Sequence, residues 1–307
     1  MRQPIIIGSR GSRLALTQAE SVLASLKEAN PGLEFSFTKI ITEGDRHRNI
    51  PLNRMPGRRV FVKEVEEALL DGRIDLAVHS LKDLPTQIPH RLSLAAVTMR
   101  LDPRDAFVSR GRKLSELAPG SIIGTGSLRR TVQLLAYRPG LEVRGIRGNI
   151  DTRLRKVFSA ELDGVIVAAA AMLRLGWKER IIEYLSLENF LPEAGQGALA
   201  IEIRSEDKEI AKLVRPLNHE LTWRSIVAER TFLHALGGGC RAPIAALGTI
   251  SGDTLMLQGM VASASGDRVL RATAEGSLIA PQALGARLAQ RMLEMGASQF
   301  IIEARQQ

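Results

Sequence analysis

Short apolar runs alternate with longer amphipathic ones through the first two-thirds of the chain, the pattern of strands followed by helices in an α/β fold. Pro4 to Ile7 predicts a short buried strand, and Gly8-Ser9-Arg10-Gly11-Ser12 a turn. Leu14 to Ala29 predicts a helix with Ala15, Ala19, Val22 and Leu26 on one face, stopped by Asn30-Pro31-Gly32. Residues 34–41 read as a second strand. Thr42 to Arg59 is a long polar, basic stretch with the character of a lid. Phe61 leads into a helix from Val62 to Asp71, capped by Gly72. Asp75 to Val78 reads as a strand running into His79-Ser80-Leu81-Lys82-Asp83-Leu84-Pro85. Lys82 and Asp83 thus sit at a strand end, where α/β sites assemble. His79 reads most simply as a satisfied core histidine.

Leu101 to Asp105 reads as a crossover, after which the opening pattern returns. Ile122-Ile123-Gly124-Thr125-Gly126-Ser127 echoes Ile6-Ile7-Gly8-Ser9. Ser127 is a candidate N-cap, with Leu128, Val132 and Leu135 as the apolar stripe of the helix that follows. Arg144 to Arg153 gathers arginines around Gly145 and Gly148. The strand Gly164 to Ala168 echoes Asp75 to Val78, and Arg174 follows it. Leu191 to Gly197 is a glycine-rich turn before a strand from Ala198 to Ile203, where the chain is expected to cross back into the first half. After Asn218 the pattern changes. A helix ends at Leu236-Gly237-Gly238-Gly239-Cys240, three strands follow (Ala245–Ser251, Thr254–Ser263, Val269–Gly276), and a last helix runs from Pro281 to Met295.

Charge narrows the function classes. The 307 residues carry 42 Lys+Arg against 33 Asp+Glu, a formal net charge of +9, which points to an anionic partner. Aromatic residues make up only 4%, too few for base-stacking platforms, and the arginines sit singly or in pairs inside turns. That placement suits discrete carboxylates or phosphates better than a continuous backbone, and guanidinium forks bind carboxylates bidentately. The single cysteine leaves no internal disulfide to form and fits a reducing compartment. The N-terminal apolar run is too short for a signal peptide, and the longest apolar run, Val165 to Leu173, is far short of a bilayer span. These features predict a cytoplasmic, soluble protein. Cys240 is either a soft nucleophile on a mobile loop beside Arg241 or a small buried hydrophobe next to a helix end.

The ordered motifs IGSRGSRLALTQA, TEGD, FVKEVEEALL, DLAVHSLKDLP, DPRDAFVS, IIGTGSLRR, RGNIDTRL, GQGALAIE and GGGCRAP together closely resemble the porphobilinogen deaminase (hydroxymethylbilane synthase) family over essentially the whole chain. The resemblance implies an α/β fold of three domains: two lobes like those of periplasmic binding proteins, and a small α+β domain with a three-stranded antiparallel sheet. On this chain those are residues 1–100 with a return segment 194–217, residues 101–193, and residues 218–307. It implies a dipyrromethane cofactor in thioether linkage to Cys240, onto which four porphobilinogen molecules are added head to tail. Each addition expels ammonia and joins an azafulvenium carbon to the free α-carbon of the terminal pyrrole; hydrolysis then releases the linear tetrapyrrole of porphyrin biosynthesis. By the same resemblance Asp83 is the catalytic aspartate. Lys82, Thr125, Ser127, Arg129, Arg130 and Arg153 hold the cofactor. Arg10, Ser12, Arg147, Arg174, Gln196 and Phe61 bind the incoming or growing chain. No metal, nucleic acid or membrane is implied, and the enzyme is expected to be a monomer.

Three departures from the family pattern stand out: Met55-Pro56-Gly57-Arg58-Arg59-Val60 in place of a glycine- and lysine-rich run, Gly126 where a serine is common, and Glu193 for a neutral residue. They are expected to alter kinetics without removing activity. The competing readings are a non-catalytic two-lobed protein that binds an anionic small molecule, and a basic nucleic-acid binder.

Overall fold

A computed structural model describes residues 4–46, 61–237 and 242–306. Cys240 and the 47–60 stretch, including the atypical run from Met55 to Val60, lie outside the described residues. The chain forms two compact units, Met1–Leu101 with Gly197–Trp223 and Asp102–Gln196 with Arg224–Gln307.

The first unit is built on strands β1 (Ile5–Arg10), β2 (Phe35–Ile40), β3 (Leu76–Ser80), β4 (Leu92–Val97) and β10 (Leu199–Arg204), in the order β2-β1-β3-β10-β4. β1 runs parallel to β2 and β3, whereas β10 is antiparallel to both of its neighbours. Helices α1 (Arg13–Ala29) and α7 (Lys208–Val214) place Ala19, Val22, Leu26, Ile210 and Val214 on one face of the sheet. Helix α3 (Lys63–Leu70) packs Val65, Ala68 and Leu69 on the other. With both faces covered, the inner strands β1 and β3 carry unbroken apolar runs, Ile5 to Ile7 and Leu76 to Val78, whereas the edge strand β2 alternates. The expected turn at Gly8 to Ser12 is shorter in the structure. Gly8, Ser9 and Arg10 stay in the strand, paired with Thr38, Lys39 and Ile40, so Arg10 is the last residue of β1. Gly8 is tolerated mid-strand because a Cβ there would lie 2.3 Å from Ile74. Ser12 accepts the backbone N–H of Ala15 (3.3 Å) and caps α1, while Asn30 closes its far end on the Leu26 carbonyl. The polar stretch after β2 begins with one helical turn, α2 (Glu43–Arg46), rather than open loop.

The second unit repeats the plan. β5 (Asp105–Ser109), β6 (Ile122–Thr125), β7 (Glu142–Gly145), β8 (Gly164–Ala168) and β9 (Glu183–Tyr184) form a sheet ordered β7-β6-β8-β5-β9, and again the fourth strand is antiparallel to its neighbours. The correspondence is position for position, so the echo between Gly164–Ala168 and Asp75–Val78 is topological: β8 and β3 are the same strand of two like sheets. Helix α4 (Leu128–Tyr137) covers one face; α5 (Ile150–Phe158) and α6 (Ala169–Arg174) cover the other.

A three-stranded antiparallel meander, β11 (Ile244–Ser251), β12 (Thr254–Ala262) and β13 (Val269–Ser277), belongs to the same unit. Leu255, Leu257 and Val261 of β12 point to a core with Phe232 of α8 (Glu220–Ala235), Leu288 of α9 (Pro281–Glu294) and Phe300 of α10 (Ala297–Gln306). Met260 and Ala262 point the opposite way and share a core with Val132 of α4. That second core changes the expected stripe of α4. Leu134, not Leu135, faces the five-stranded sheet, while Val132 and Leu128 face the meander. The final helix does not end the chain's structure, because Gly296 (φ +95°) turns it into α10.

Candidate functional site

In the first unit, two strand ends bring charge together. Arg10 ends β1; Asp83 closes a single 3-10 turn, Leu81–Asp83, immediately after β3, the parallel neighbour of β1. Arg10 Nη1 lies 4.0 Å from Asp83 Oδ2, and the Asp83 side chain remains 38% exposed, so a ligand can reach it. Arg10 itself is held along one edge and over one face. Its Nη2 donates to Asp45 Oδ1 (2.8 Å), its Nε donates to Asp45 Oδ2 (3.4 Å), and its Cζ stands 4.3 Å from the centre of the Phe61 ring. Asp45 is fixed in turn by the Thr42 hydroxyl, which donates at 2.8 Å. Burial works to raise the Asp45 carboxyl, but Arg10 and Thr42 outweigh it and hold the group below the usual carboxylate range.

Lys82 is half-buried on the same turn as Asp83, and Ser12 is engaged in capping α1. Ser80, at the end of β3, exchanges hydrogen bonds with Gln18 (2.8 and 3.1 Å) and braces the strand end. His79 is a satisfied core residue, with its Nε2 3.0 Å from Glu202 Oε2 in the sheet interior. The Phe61 ring is the aromatic face on which the Arg10 guanidinium rests.

In the second unit, Arg129 and Arg130 start α4 and turn inward. Both converge on Asp105, the first residue of β5, which has no exposed surface. Arg129 Nη1 donates to Asp105 Oδ2 (2.8 Å) and to the Leu191 carbonyl (2.6 Å). Arg130 donates to Asp105 Oδ1 through Nη2 (2.7 Å) and Nε (3.1 Å), and to the Ile166 carbonyl (3.1 Å). Gln196 Nε2 adds a bond to the same Oδ1 (2.8 Å) and one to the Pro103 carbonyl (2.8 Å). Burial opposes the Asp105 charge, yet the two guanidiniums push its carboxyl far below the ordinary range. Among the described residues the group sets two buried cations against the one Asp105 anion, and Arg129 Nε is buried with no hydrogen-bond partner there. An anionic ligand group would complete it.

The Gln196 turn has its own support. Gly195 and Gly197 take φ of +82° and +94°, a conformation that favours glycine, and the Gly195 N–H donates to Glu229 Oε2 (2.7 Å). The other Glu229 oxygen accepts the Gly248 N–H (2.8 Å), tying the turn to β11.

Thr125 is buried, and its hydroxyl accepts the Ser127 N–H (3.2 Å). Ser127 occupies the N-cap position of α4, as expected, but makes no side-chain capping bond among the described residues. Arg153, on α5, donates through Nε to the Gly148 carbonyl (2.9 Å), and Arg147 lies in the turn between β7 and α5. Arg174 ends α6, and burial brings its guanidinium down to about 10; burial also lowers Arg147. Neutralisation by a bound carboxylate would offset that desolvation. A Cβ at Gly126 would lie 2.6 Å from the Ile146 carbonyl oxygen, so the close passage of β7's exit past the β6–α4 turn accounts for glycine there.

Two members of these clusters, Asp45 and Asp105, were not singled out from sequence. Each sits inside a motif already noted, TEGD and DPRD, but nothing local distinguishes a carboxylate that binds an arginine far along the chain from a solvated one.

Comparison with known proteins gives one family. The model described as "Porphobilinogen deaminase, dipyromethane cofactor binding domain" matches residues 5–212, and that of the C-terminal domain of the same enzyme matches residues 223–294. The porphobilinogen deaminase of Bacillus velezensis is 45% identical over 99% of this chain and 97% of its own length. That of Bacillus subtilis is 45% identical over 98% and 96%, and that of Alkaliphilus metalliredigens 46% over 97% and 94%. Among solved structures, the ligand-binding component of an ABC-type import system from Staphylococcus aureus aligns with a TM-score of 0.40 at 15% identity, covering 75% of this chain and 73% of that one.

Proposed function

The chain belongs to the porphobilinogen deaminase family, and from that premise we propose how its own residues divide the work. The enzyme is a transferase that joins four porphobilinogen molecules head to tail, releasing ammonia, on a covalently bound dipyrromethane primer, to give hydroxymethylbilane. The observation that carries the assignment of roles is the partly exposed Asp83 carboxylate beside Arg10, at the ends of two parallel strands.

The residues present fit a dipyrromethane. Each pyrrole bears two carboxylates, and the second unit holds two buried guanidiniums on one carboxylate, with an Arg129 Nε that has no hydrogen-bond partner among the described residues. When bound, the group supplies a free pyrrole α-carbon as nucleophile and the chain end on which product grows. Lys82, Thr125, Ser127, Arg129, Arg130 and Arg153 hold it, with Cys240 as its covalent anchor. Ser127, whose hydroxyl is not used for capping, keeps that hydroxyl for a ligand oxygen.

Asp83 acts on the reacting pyrrole. A carboxylate near the ring N–H stabilises positive charge as the amine departs, and the same group takes part in the proton transfers to the leaving amine and from the α-carbon. Arg10, Arg147 and Arg174 neutralise the acetate and propionate groups. Ser12 and Gln196 add polar contacts, and Phe61 acts through the Arg10 guanidinium that it covers. We assign 1–100 with 194–217 to one domain, 101–193 to a second and 218–307 to a third. The core shared by Val132 and Met260 joins the last two into one compact unit. Porphobilinogen is the partner of a cytoplasmic monomer, a placement supported by the single cysteine. Among the described residues no helix is long and apolar enough to cross a membrane.

Intact mass of the purified, denatured protein tests the reading. The holoenzyme is expected to exceed the sequence mass by two linked pyrrole units, Cys240→Ser to lose the excess, and Asp83→Ala to keep it while ammonia release nearly stops. Near-normal ammonia release by Asp83→Ala refutes the role of Asp83. A bare-chain mass after incubation with porphobilinogen favours the non-catalytic binding protein instead.

A further inference from the structure

We propose that Asp45 is a positioning residue for the reaction: it engages one edge of the Arg10 guanidinium and so keeps that cation from closing onto the catalytic Asp83. The inference rests on the assignment of Asp83 and Arg10 above.

Arg10 has two carboxylates within reach and treats them differently. Its Nε/Nη2 edge is occupied by Asp45, at 3.4 and 2.8 Å, while Nη1 approaches Asp83 only to 4.0 Å, outside hydrogen-bond distance. The Phe61 ring covers a face of the guanidinium at 4.3 Å and limits its tilt. Asp45 is well placed to dominate. Its side chain is 8% exposed against 38% for Asp83, so its attraction to the cation is less screened. The Thr42 hydroxyl, on a residue with no exposed surface, donates to its Oδ2 at 2.8 Å and fixes its orientation.

Removal of the Asp45 charge frees the Arg10 fork. The nearest carboxylate is then Asp83, and a bidentate pair would occupy the oxygens that the reacting pyrrole needs. Asp45 therefore acts on turnover through Arg10, without touching substrate. Substrate carboxylates remain able to meet the guanidinium at Nη1.

The test is a double-mutant cycle on the holoenzyme with porphobilinogen, scoring kcat and KM separately. Asp45→Asn is expected to lower kcat about 10- to 100-fold with KM changed far less, because the reacting group rather than binding is affected. In an Arg10→Ala background, itself impaired, Asp45→Asn is expected to cost nothing further. Asp45→Glu should recover part of the loss, and Thr42→Val, which loosens Asp45 without removing its charge, should produce a smaller loss of the same kind. Circular dichroism and the retained cofactor mass establish that each variant is folded; should Asp45→Asn fail to fold, Thr42→Val and Asp45→Glu carry the comparison. Equal losses from Asp45→Asn with and without Arg10, or an unchanged kcat, overturn the proposal. An Asp83→Ala enzyme that still turns over refutes the assignment of Asp83 instead, so the two failures are told apart.

Discussion

Asp105 is the place where a single charge decides the most. Asp105→Asn keeps the size and shape of the side chain but removes the negative charge that two buried guanidiniums share, each bonded to it at 2.7–2.8 Å. Each ion pair, with charge centres near 4 Å, is worth about 4 kcal/mol at an effective dielectric of 20. The loss of two such attractions is offset by the several kcal/mol no longer spent desolvating the carboxylate. A net destabilisation of about 3–5 kcal/mol results, the range found when one partner of a buried pair is removed. For a body of this size each kcal/mol moves the midpoint by about 2–4 °C, so the transition should fall by about 6–20 °C. Calorimetry on wild type and variant, with amide exchange over α4 to locate the change, is the appropriate assay. A chain of two units need not melt in one step, so it is the transition coupled to α4 exchange that counts. A midpoint within 2 °C of wild type (about 1 kcal/mol or less) would show that the arginines find other anions or water, and would refute the claim that Asp105 organises them.

Acid should erode stability in a defined window. Burial raises and the arginines lower the Asp105 and Asp45 carboxyls, with a net depression in both, so the unfolded chain binds their protons first. The stabilisation is present above the ordinary aspartate value of about 3.9 and is lost as pH falls through the lower folded-state values. Urea midpoints measured between about pH 5 and 2 should drop steeply for wild type and less steeply for Asp105→Asn; parallel curves would contradict the depression. Gly126→Ser would set a Cβ against the Ile146 carbonyl at 2.6 Å, and a loss of about 1–3 kcal/mol in chemical denaturation is expected. A serine accommodated at no cost would mean that the backbone at Ile146 yields freely.

Periodicity and turn chemistry were enough to establish the α/β class, the repeated strand–helix opening, the helix from Leu14 to Ala29 and the three closing strands, because these depend on residues close in sequence. The apolar run from Asp75 to Val78 placed Asp83 at a strand end, where the structure has it. Strand order was beyond such reading: β10 and β5 each enter a sheet as its antiparallel fourth strand, a pairing made between segments more than a hundred residues apart in one case. So was the inward turn of Arg129 and Arg130. A sequence displays their charge but not their burial, and only tertiary contact with Asp105, Leu191 and Ile166 made them interior groups. Local residues determine which backbone forms; whether a charge faces water, a ligand or another charge depends on what the folded chain brings beside it, and that alone settles its energy.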